Sequence, residues 1–285
     1  MEINNIIFFN HFHNGDIHLS KNLINHIIDA FPNIKCHYSH GCSNRLLLDK
    51  PNVPIINTAH GQLNPHLPGI LYANNTLFVN TWVGCDNGKF LANGCIYPSL
   101  YEMFNYYCTV LNINPLGPIE NYIPTIDFSY YNVETINNHF NSTSANKNIF
   151  IVNGNCYSGQ DTNNFDFTTL IRTLAENKPN YNFYISNNNF NLDKPANVFL
   201  TDDIIDKDII GNNLNENAYI TKFCDIIIGR PTGAYTYSLN KQNFKEKKTY
   251  ICLIDRNYSF NGFDQIITDS EFKIISDTNT ILNII

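Results

Sequence analysis

Near its start the chain reads Ile6-Ile7-Phe8-Phe9-Asn10, an apolar run that stops at a polar residue. The segment 11–16 follows and contains Asn14-Gly15, residue types that favour turns. From about Ile17 to Phe31, apolar residues recur on one stripe, as expected of an amphipathic helix. The pattern predicts a buried strand, a polar turn and a helix, which is the repeating unit of an α/β fold.

The same signal recurs in the last quarter of the chain. The apolar segment 224–228 leads into the turn Gly229-Arg230-Pro231-Thr232-Gly233-Ala234, and a further helix is expected after it. Ligands bind at such edges because helix N-termini and backbone N–H groups converge where parallel strands end. We therefore expect one ligand-binding edge in each half of the chain, with the two edges facing each other across a cleft.

Between these signals the alternation of strands and helices is interrupted once. The segment 112–148 contains prolines and glycine, and its later part, the polar run from Asn141 to Lys147, is typical of a domain linker. Alternating strands and helices on either side indicate parallel sheets covered by helices. The predicted fold class is α/β, with two Rossmann-like α/β/α domains at 1–140 and 148–285.

Composition excludes several classes of function. The formal net charge of −7 argues against nucleic-acid binding, which needs a basic face. No apolar run is long enough to span a membrane, so any membrane contact is expected to be peripheral. The acidic start at Met1-Glu2 does not fit a signal peptide. Eight cysteines without a CxxC motif favour reduced thiols, and hence a cytoplasmic protein.

Two short motifs lie at the ends of the first predicted elements, Gly15-Asp16 after the first strand and Ala30-Phe31-Pro32 at the end of the helix. They resemble the N-terminal motif of the heptosyltransferase-like glycosyltransferases, family 9. The stretch 223–236 resembles the family's C-terminal strand and the turn Gly-Asp-[Ser/Thr]-Gly-x-x-His. The resemblance implies GT-B architecture, an acceptor held mainly by the first domain and a nucleotide sugar held mainly by the second. It also implies transfer without a metal or other cofactor.

The chain departs from the family pattern at two positions of the C-terminal motif. Pro231 stands where the family has an acid, and Thr236 stands where it has a histidine. The family's basic residue is also missing from 154–160. These departures leave open a non-catalytic relative that binds a glycan or nucleotide. A nucleotide-sugar 2-epimerase, which shares the architecture, is a second alternative.

Asp16 is the candidate catalytic residue. A sugar hydroxyl that attacks an anomeric carbon must lose a proton, and a carboxylate within hydrogen-bond reach can accept it. The alternative is an N-cap, because an Asp before a helix satisfies free N–H groups and complements the helix dipole. His11, His13 and His18 surround Asp16, and neither a cysteine nor a second acid completes a metal-ligand set. His13 and His18 are instead candidates for acceptor contact.

The candidate donor site lies in the second half. Arg230 offers a planar fork for phosphate oxygens, while Thr232 and Gly233 would offer a hydroxyl and close backbone approach to the leaving diphosphate. Gly154 could lie against phosphate or ribose, and Glu216 could accept ribose hydroxyls. The alternatives are an Arg230 paired with a carboxylate, an ordinary βα turn at Gly154, and a helix-stabilising acid at Glu216.

Trp82, the only tryptophan, follows the predicted strand at 76–80 and could stack on an acceptor sugar, with core packing as the alternative. The triplet Asp206-Lys207-Asp208 could hold Mg²⁺, but its acidic loop favours a solvated surface. The residues and the resemblance together predict a glycosyltransferase that takes a nucleotide-sugar donor and a glycan or lipid-linked acceptor, and the resemblance alone implies that transfer needs no metal.

Overall fold

The structure is a computed structural model that describes most of the chain. The described residues are 2–10, 14–41, 44–56, 66–91, 95–143, 147–154, 165–187, 194–206, 213–254, 260–275 and 278–285. They form two compact units, Met1–Ile126 and Asp127–Ile285. The structure therefore groups 127–140, which the sequence analysis placed in the first domain, with the second unit.

The first unit is built on a five-stranded sheet in the order β3-β2-β1-β5-β4. All neighbouring strands are parallel except β4, which runs antiparallel to β5. The strands are β1 Asn5–Phe9, β2 Lys35–Ser39, β3 Ile55–Ile56, β4 Ile70–Ala73 and β5 Thr76–Asn80. The helices are α1 Asn14–Ser20, α2 Leu23–Ala30, α3 Cys85–Gly88 and α4 Ile96–Leu111.

The prediction of one helix from Ile17 to Phe31 is wrong, because the structure contains two helices separated by Lys21 and Asn22. Both residues at the break have partners away from the helix axis. The ammonium of Lys21 lies 2.6 Å from the Asp49 carboxylate, with both side chains buried. The Asn22 amide donates to the carbonyl of Ile123 at 2.7 Å. Burial of these polar groups is tolerated because each is paired.

The second unit contains a six-stranded sheet in the order β11-β10-β9-β6-β7-β8, in which every pairing is parallel. The strands are β6 Lys147–Val152, β7 Tyr181–Ile185, β8 Val198–Leu200, β9 Ile226–Gly229, β10 Thr249–Cys252 and β11 Glu271–Ile274. The helices are α5 Glu134–Ser142, α6 Phe167–Asn177, α7 Thr201–Ile204, α8 Leu214–Thr221, α9 Gly233–Ser238, α10 Lys241–Lys245 and α11 Thr278–Ile284.

Helices cover both faces of the second sheet. One face carries the odd-numbered residues of β6, such as Ile149 and Ile151, which share an aliphatic core with Leu170 of α6 and Ile281 of α11. The opposite face is aromatic, and there Phe140 of α5 lies 4.9 Å from Tyr184 and Phe244 of α10 lies 5.7 Å from Tyr250, between ring centroids. Side chains alternate between faces along a strand, so the near-continuous apolar runs of the sequence fill both layers.

Candidate functional site

Buried polar residues follow three neighbouring strands of the first sheet. Asn10 follows β1, His40 follows β2 and Thr81 follows β5, each with at most 1% of its surface exposed. Because β1 pairs in parallel with both β2 and β5, these three residues lie at the same carboxyl edge of the sheet. The first turn of α1 carries Asp16. This edge is therefore the polar end of the unit, where α/β sheets bind ligands.

The carboxyl group of Asp16 has unusual electrostatics. Asp16 is partly buried, and burial raises the pKa of its carboxyl from 3.8 to about 7, while the nearby Asn10 side chain partly lowers it. Desolvation disfavours the charged form of an acid, whereas hydrogen bonds to a carboxylate favour it. At neutral pH the group is consequently divided between its protonated and ionised forms, which suits a proton acceptor.

A chain of hydroxyl groups fixes the helix that carries Asp16. The Tyr38 hydroxyl at the end of β2 lies 3.3 Å from the Ser20 hydroxyl and 2.5 Å from that of Thr81. Thr81 in turn donates to the carbonyl of Phe9 at 3.2 Å. Burial, and to a smaller degree the charge of Asp16, raises the pKa of Tyr38, so this phenol stays protonated. Ser20 lies four residues after Asp16, about one helical turn, so the network anchors α1 against two strands.

The predicted acceptor residues have different surroundings. His13, like its neighbour His11, lies outside the described residues. The side chain of His18 is fully buried. Trp82 is partly buried, and its ring makes an edge contact with His66 at 5.1 Å between centroids. A Cβ at Gly84 would lie 2.4 Å from the indole, so glycine is required there for the ring to occupy its place.

At the carboxyl edge of the second sheet, β6 and β9 end side by side. Gly229 closes β9, and a Cβ on it would lie 2.7 Å from Cβ of Val152 and 2.9 Å from the Tyr235 ring. Only glycine allows α9 to approach β6 and β9 so closely. The next residue, Arg230, is 4% exposed, and its guanidinium carbon lies 5.9 Å from the centroid of the Phe165 ring.

Thr232 precedes α9 as its N-cap without a hydrogen bond from its side chain to the helix. The Thr232 hydroxyl is buried and has no hydrogen-bond partner among the residues that the structure describes. Gly233 begins the helix, and its surface is partly exposed. A buried hydroxyl without a partner is energetically costly. Within the described part of the chain, this turn therefore combines a buried hydroxyl that has no hydrogen-bond partner with the positively charged side chain of Arg230.

The other two predicted donor residues differ in accessibility. Gly154 follows β6, and among the described residues the atom nearest to a Cβ placed there is Nδ2 of Asn187, at 4.0 Å. Glu216 lies in the first turn of α8 and is fully buried, with Asn215 and Asn217 buried on either side.

The acidic triplet at 206–208 is described only at Asp206, which accepts a hydrogen bond from the Asn132 amide at 2.5 Å. Within the described ranges, no group of three or more His, Cys, Asp or Glu side chains is arranged to hold a metal ion. No described helix has both the length and the hydropathy needed to cross a bilayer.

The hydroxyl network of Ser20, Tyr38 and Thr81 was missed by the sequence reasoning. The sequence does place Thr81 directly after the strand predicted at 76–80, at an edge where polar residues converge. Residues of these types are common in every part of a fold, so this position was the one available signal.

Comparison with solved structures identifies the fold. A glycosyltransferase of family 9 from Veillonella parvula superposes with a TM-score of 0.54 at 11% identity, covering 96% of this chain and 87% of its own. The heptosyltransferase WaaC of E. coli, solved with ADP, gives 0.55 at 8% identity and covers 98% of both chains. A Listeria monocytogenes protein assigned as a UDP-N-acetylglucosamine 2-epimerase gives 0.50 at 8% identity, over 99% of this chain and 86% of its own.

No protein-family model matches the sequence, and no curated protein matches it. The likeness is therefore one of fold. It confirms the predicted α/β fold of GT-B type and the predicted resemblance to heptosyltransferase-like glycosyltransferases.

Proposed function

We propose that this protein transfers a sugar from a nucleotide-diphosphate donor to a glycan or lipid-linked acceptor, with Asp16 as the general base. The observation that carries the proposal is the pKa of Asp16, raised to about 7 at the carboxyl edge of the first sheet. An ordinary surface aspartate, with a pKa near 4, is too weak a base to accept a hydroxyl proton efficiently. A base whose pKa lies near the working pH combines sufficient basicity with a substantial ionised fraction.

The donor diphosphate is assigned to the turn after β9. Arg230 supplies positive charge in a desolvated position, where it acts more strongly on a phosphate than in water. Thr232 supplies a hydroxyl without a partner among the described residues, and Gly233 allows close approach of the backbone. Gly154 lies at the neighbouring strand end, where no described atom is closer than 4.0 Å to a Cβ placed on it, and it is assigned to the nucleotide. The positive charge, the hydroxyl and the backbone of this turn would together stabilise the diphosphate as it leaves, without a metal ion.

Burial decides which further residues are retained as contacts. The side chains of Glu216 and His18 have no exposed surface, so neither is included in the proposed set. Trp82 keeps exposed surface and a fixed ring, and it is assigned to the acceptor sugar together with His13. The six described cysteines are buried thiols and not disulfide partners, which supports a reducing compartment such as the cytoplasm.

The proposal is tested first by nucleotide binding. A thermal-shift panel of nucleoside diphosphates and nucleotide sugars is expected to reveal at least one that raises the melting temperature, since a ligand of the folded state stabilises it. Arg230→Gln is expected to abolish that shift, whereas Asp16→Asn keeps it. A panel in which no nucleotide stabilises the protein contradicts the donor site.

Turnover with the identified donor is then followed against pH. We expect kcat/KM to rise through about pH 7 as Asp16 ionises, and Asp16→Asn to lose turnover by about 10²-fold or more. Chelator is expected to leave the rate unchanged. Conversion of the donor sugar without acceptor would instead establish an epimerase, the alternative that the fold also allows. Donor binding without turnover in any acceptor mixture would establish a binding protein.

A further inference from the structure

Lysines gather at the amino ends of neighbouring strands in the second sheet, the edge opposite to Arg230. Lys147 begins β6, Lys222 lies four residues before β9, and Lys247 and Lys248 directly precede β10. These strands are adjacent in the order β10-β9-β6 and parallel, so their amino ends lie side by side. Three strands thus bring four ammonium groups to one edge of the sheet.

The four lysines line one polar cavity of about 310 Å³. Two carboxylates also line it, those of Asp225 and Glu246. Both acids are exposed, and Asp225 already accepts a hydrogen bond from the backbone N–H of Asn148 at 3.1 Å. Four cations against two anions leave a local excess of positive charge, although the whole chain carries a formal net charge of −7. Such a local field concentrates anions.

One of the four ammonium groups has a structural role. Lys248 is buried, and its ammonium donates hydrogen bonds to the carbonyls of Lys222 and Cys224, at 2.9 and 2.7 Å. These bonds satisfy two backbone carbonyls in the segment between α8 and β9. Burial lowers the pKa of Lys248, and the cavity's two carboxylates partly oppose that shift, while Lys222 adds to it. Lys248 therefore holds the wall of the cavity.

The other three ammonium groups remain for a ligand. Lys147, Lys222 and Lys247 are exposed, and none forms an ion pair with another residue in the described parts of the chain. The Lys147 ammonium lies 5.6 Å from the Tyr181 ring centroid, and that of Lys222 lies 5.4 Å from the Tyr219 ring centroid. The rings restrict these two side chains, which reduces the entropy that binding must overcome.

We propose that this cavity binds a small anion bearing one or two phosphate groups. Three ammonium groups line its polar wall without an ion-pair partner among the described residues, and each can donate hydrogen bonds to phosphate oxygens. The volume of the cavity suits a compact ligand rather than a macromolecule. The phosphate is either free in solution or presented by a lipid headgroup. The site lies at the amino edge of the sheet, so its occupancy is separable from the diphosphate site proposed at the carboxyl edge.

The test compares the lysines of the cavity with lysines elsewhere. In the variant Lys147→Gln/Lys222→Gln/Lys247→Gly, the first two substitutions replace an ammonium group by an uncharged polar amide at exposed positions. The third replaces a lysine whose φ is 54°, a backbone conformation that glycine adopts readily, so the fold is preserved. Lys35→Gln is the matched control, because Lys35 is an exposed lysine that begins a parallel strand in the other sheet.

Calorimetric titration with inorganic pyrophosphate is expected to show binding that weakens with added salt. The triple variant should lose affinity by at least about tenfold, since three charges are removed within a few ångströms of the ligand. All titrations are run in the Arg230→Gln background, so that the diphosphate site proposed at the carboxyl edge does not contribute. Lys247→Gly alone should show a smaller loss, and Lys35→Gln should bind like the background protein. Measurable binding of equal affinity with and without the three lysine substitutions, or an equal loss in Lys35→Gln, overturns the site.

A second arm uses vesicles of phosphatidylcholine with and without phosphatidic acid. A parent protein that does not bind pyrophosphate but sediments with phosphatidic acid vesicles, in a way that the triple variant does not, would assign the phosphate to a lipid headgroup. Binding to neither probe would overturn the proposal.

Discussion

Replacement of Asp16 by asparagine is expected to stabilise the protein at alkaline pH while removing its activity. The folded-state pKa of about 7 lies above the ordinary value of 3.8. Between these two values, the folded protein binds more protons at Asp16 than the unfolded chain does. The free energy of unfolding therefore falls as the pH rises through this window, and the full penalty is present above about pH 7. Asparagine is never charged and avoids that penalty.

The magnitude follows from the displacement of the pKa. The Asp16 pKa is displaced by roughly 3 pH units, which corresponds to about 4 kcal/mol because one unit is worth about 1.36 kcal/mol. Asp16 keeps part of its surface in water, so we take about half of this, or about 2 kcal/mol. The variant also loses a carboxylate in the first turn of α1, worth about 0.5 kcal/mol. The net gain at pH 8 is about 1.5 kcal/mol, equivalent to about 5 °C in the melting temperature of the first unit.

The assay is thermal unfolding of Asp16→Asn and the parent at pH 4, 6, 7 and 8, followed by circular dichroism. The difference in melting temperature should be near zero at pH 4 and should grow to its full value by pH 8. Asp29→Asn on α2 is the control, because it makes the same substitution at an exposed position. A variant that is less stable than the parent at pH 8, or a difference that does not shrink on acidification, would refute the reasoning.

Two further predictions concern packing. Gly229→Ala places a Cβ 2.7 Å from that of Val152 and should cost about 1–3 kcal/mol in urea unfolding, whereas Gly154→Ala, whose Cβ would lie 4.0 Å from the nearest described atom, should cost far less. Lys21→Ala strands the buried carboxylate of Asp49 and should cost about 3–5 kcal/mol, while Lys21→Met/Asp49→Leu should recover most of that loss. Equal losses within either comparison would contradict the corresponding packing argument.

Strands were predictable from sequence where they are apolar and central. The segment predicted at 76–80 is β5, with the same bounds in the structure. The hairpin between β4 and β5 was not predicted, because its turn uses Asn74 and Asn75 at positive φ in place of the usual glycine. The edge strand β11 was also missed, since it is short and carries exposed and partly buried residues. Edge strands contribute little to the apolar core and so leave a weak pattern in the sequence.

The candidate site was predictable only in part. Asp16 could be singled out because a carboxylate after a strand and before a helix is a local signal. The hydroxyl network could not, because Ser20, Tyr38 and Thr81 are 18 and 43 residues apart and meet through parallel strand pairing. That the turns of Asp16 and Thr232 face each other across a cleft stays a prediction.

The electrostatics of Asp16 bear on the choice between its two predicted roles. A carboxylate that caps a helix accepts backbone N–H groups, which favours the charged form and lowers the pKa. Here the pKa is raised, because desolvation outweighs both the Asn10 side chain and the position in the first turn of α1. A residue kept for stability alone gains nothing from a charge that costs free energy at neutral pH. A proton acceptor needs that penalty, since the same desolvation makes the carboxylate a stronger base. The raised pKa therefore favours the base over the cap.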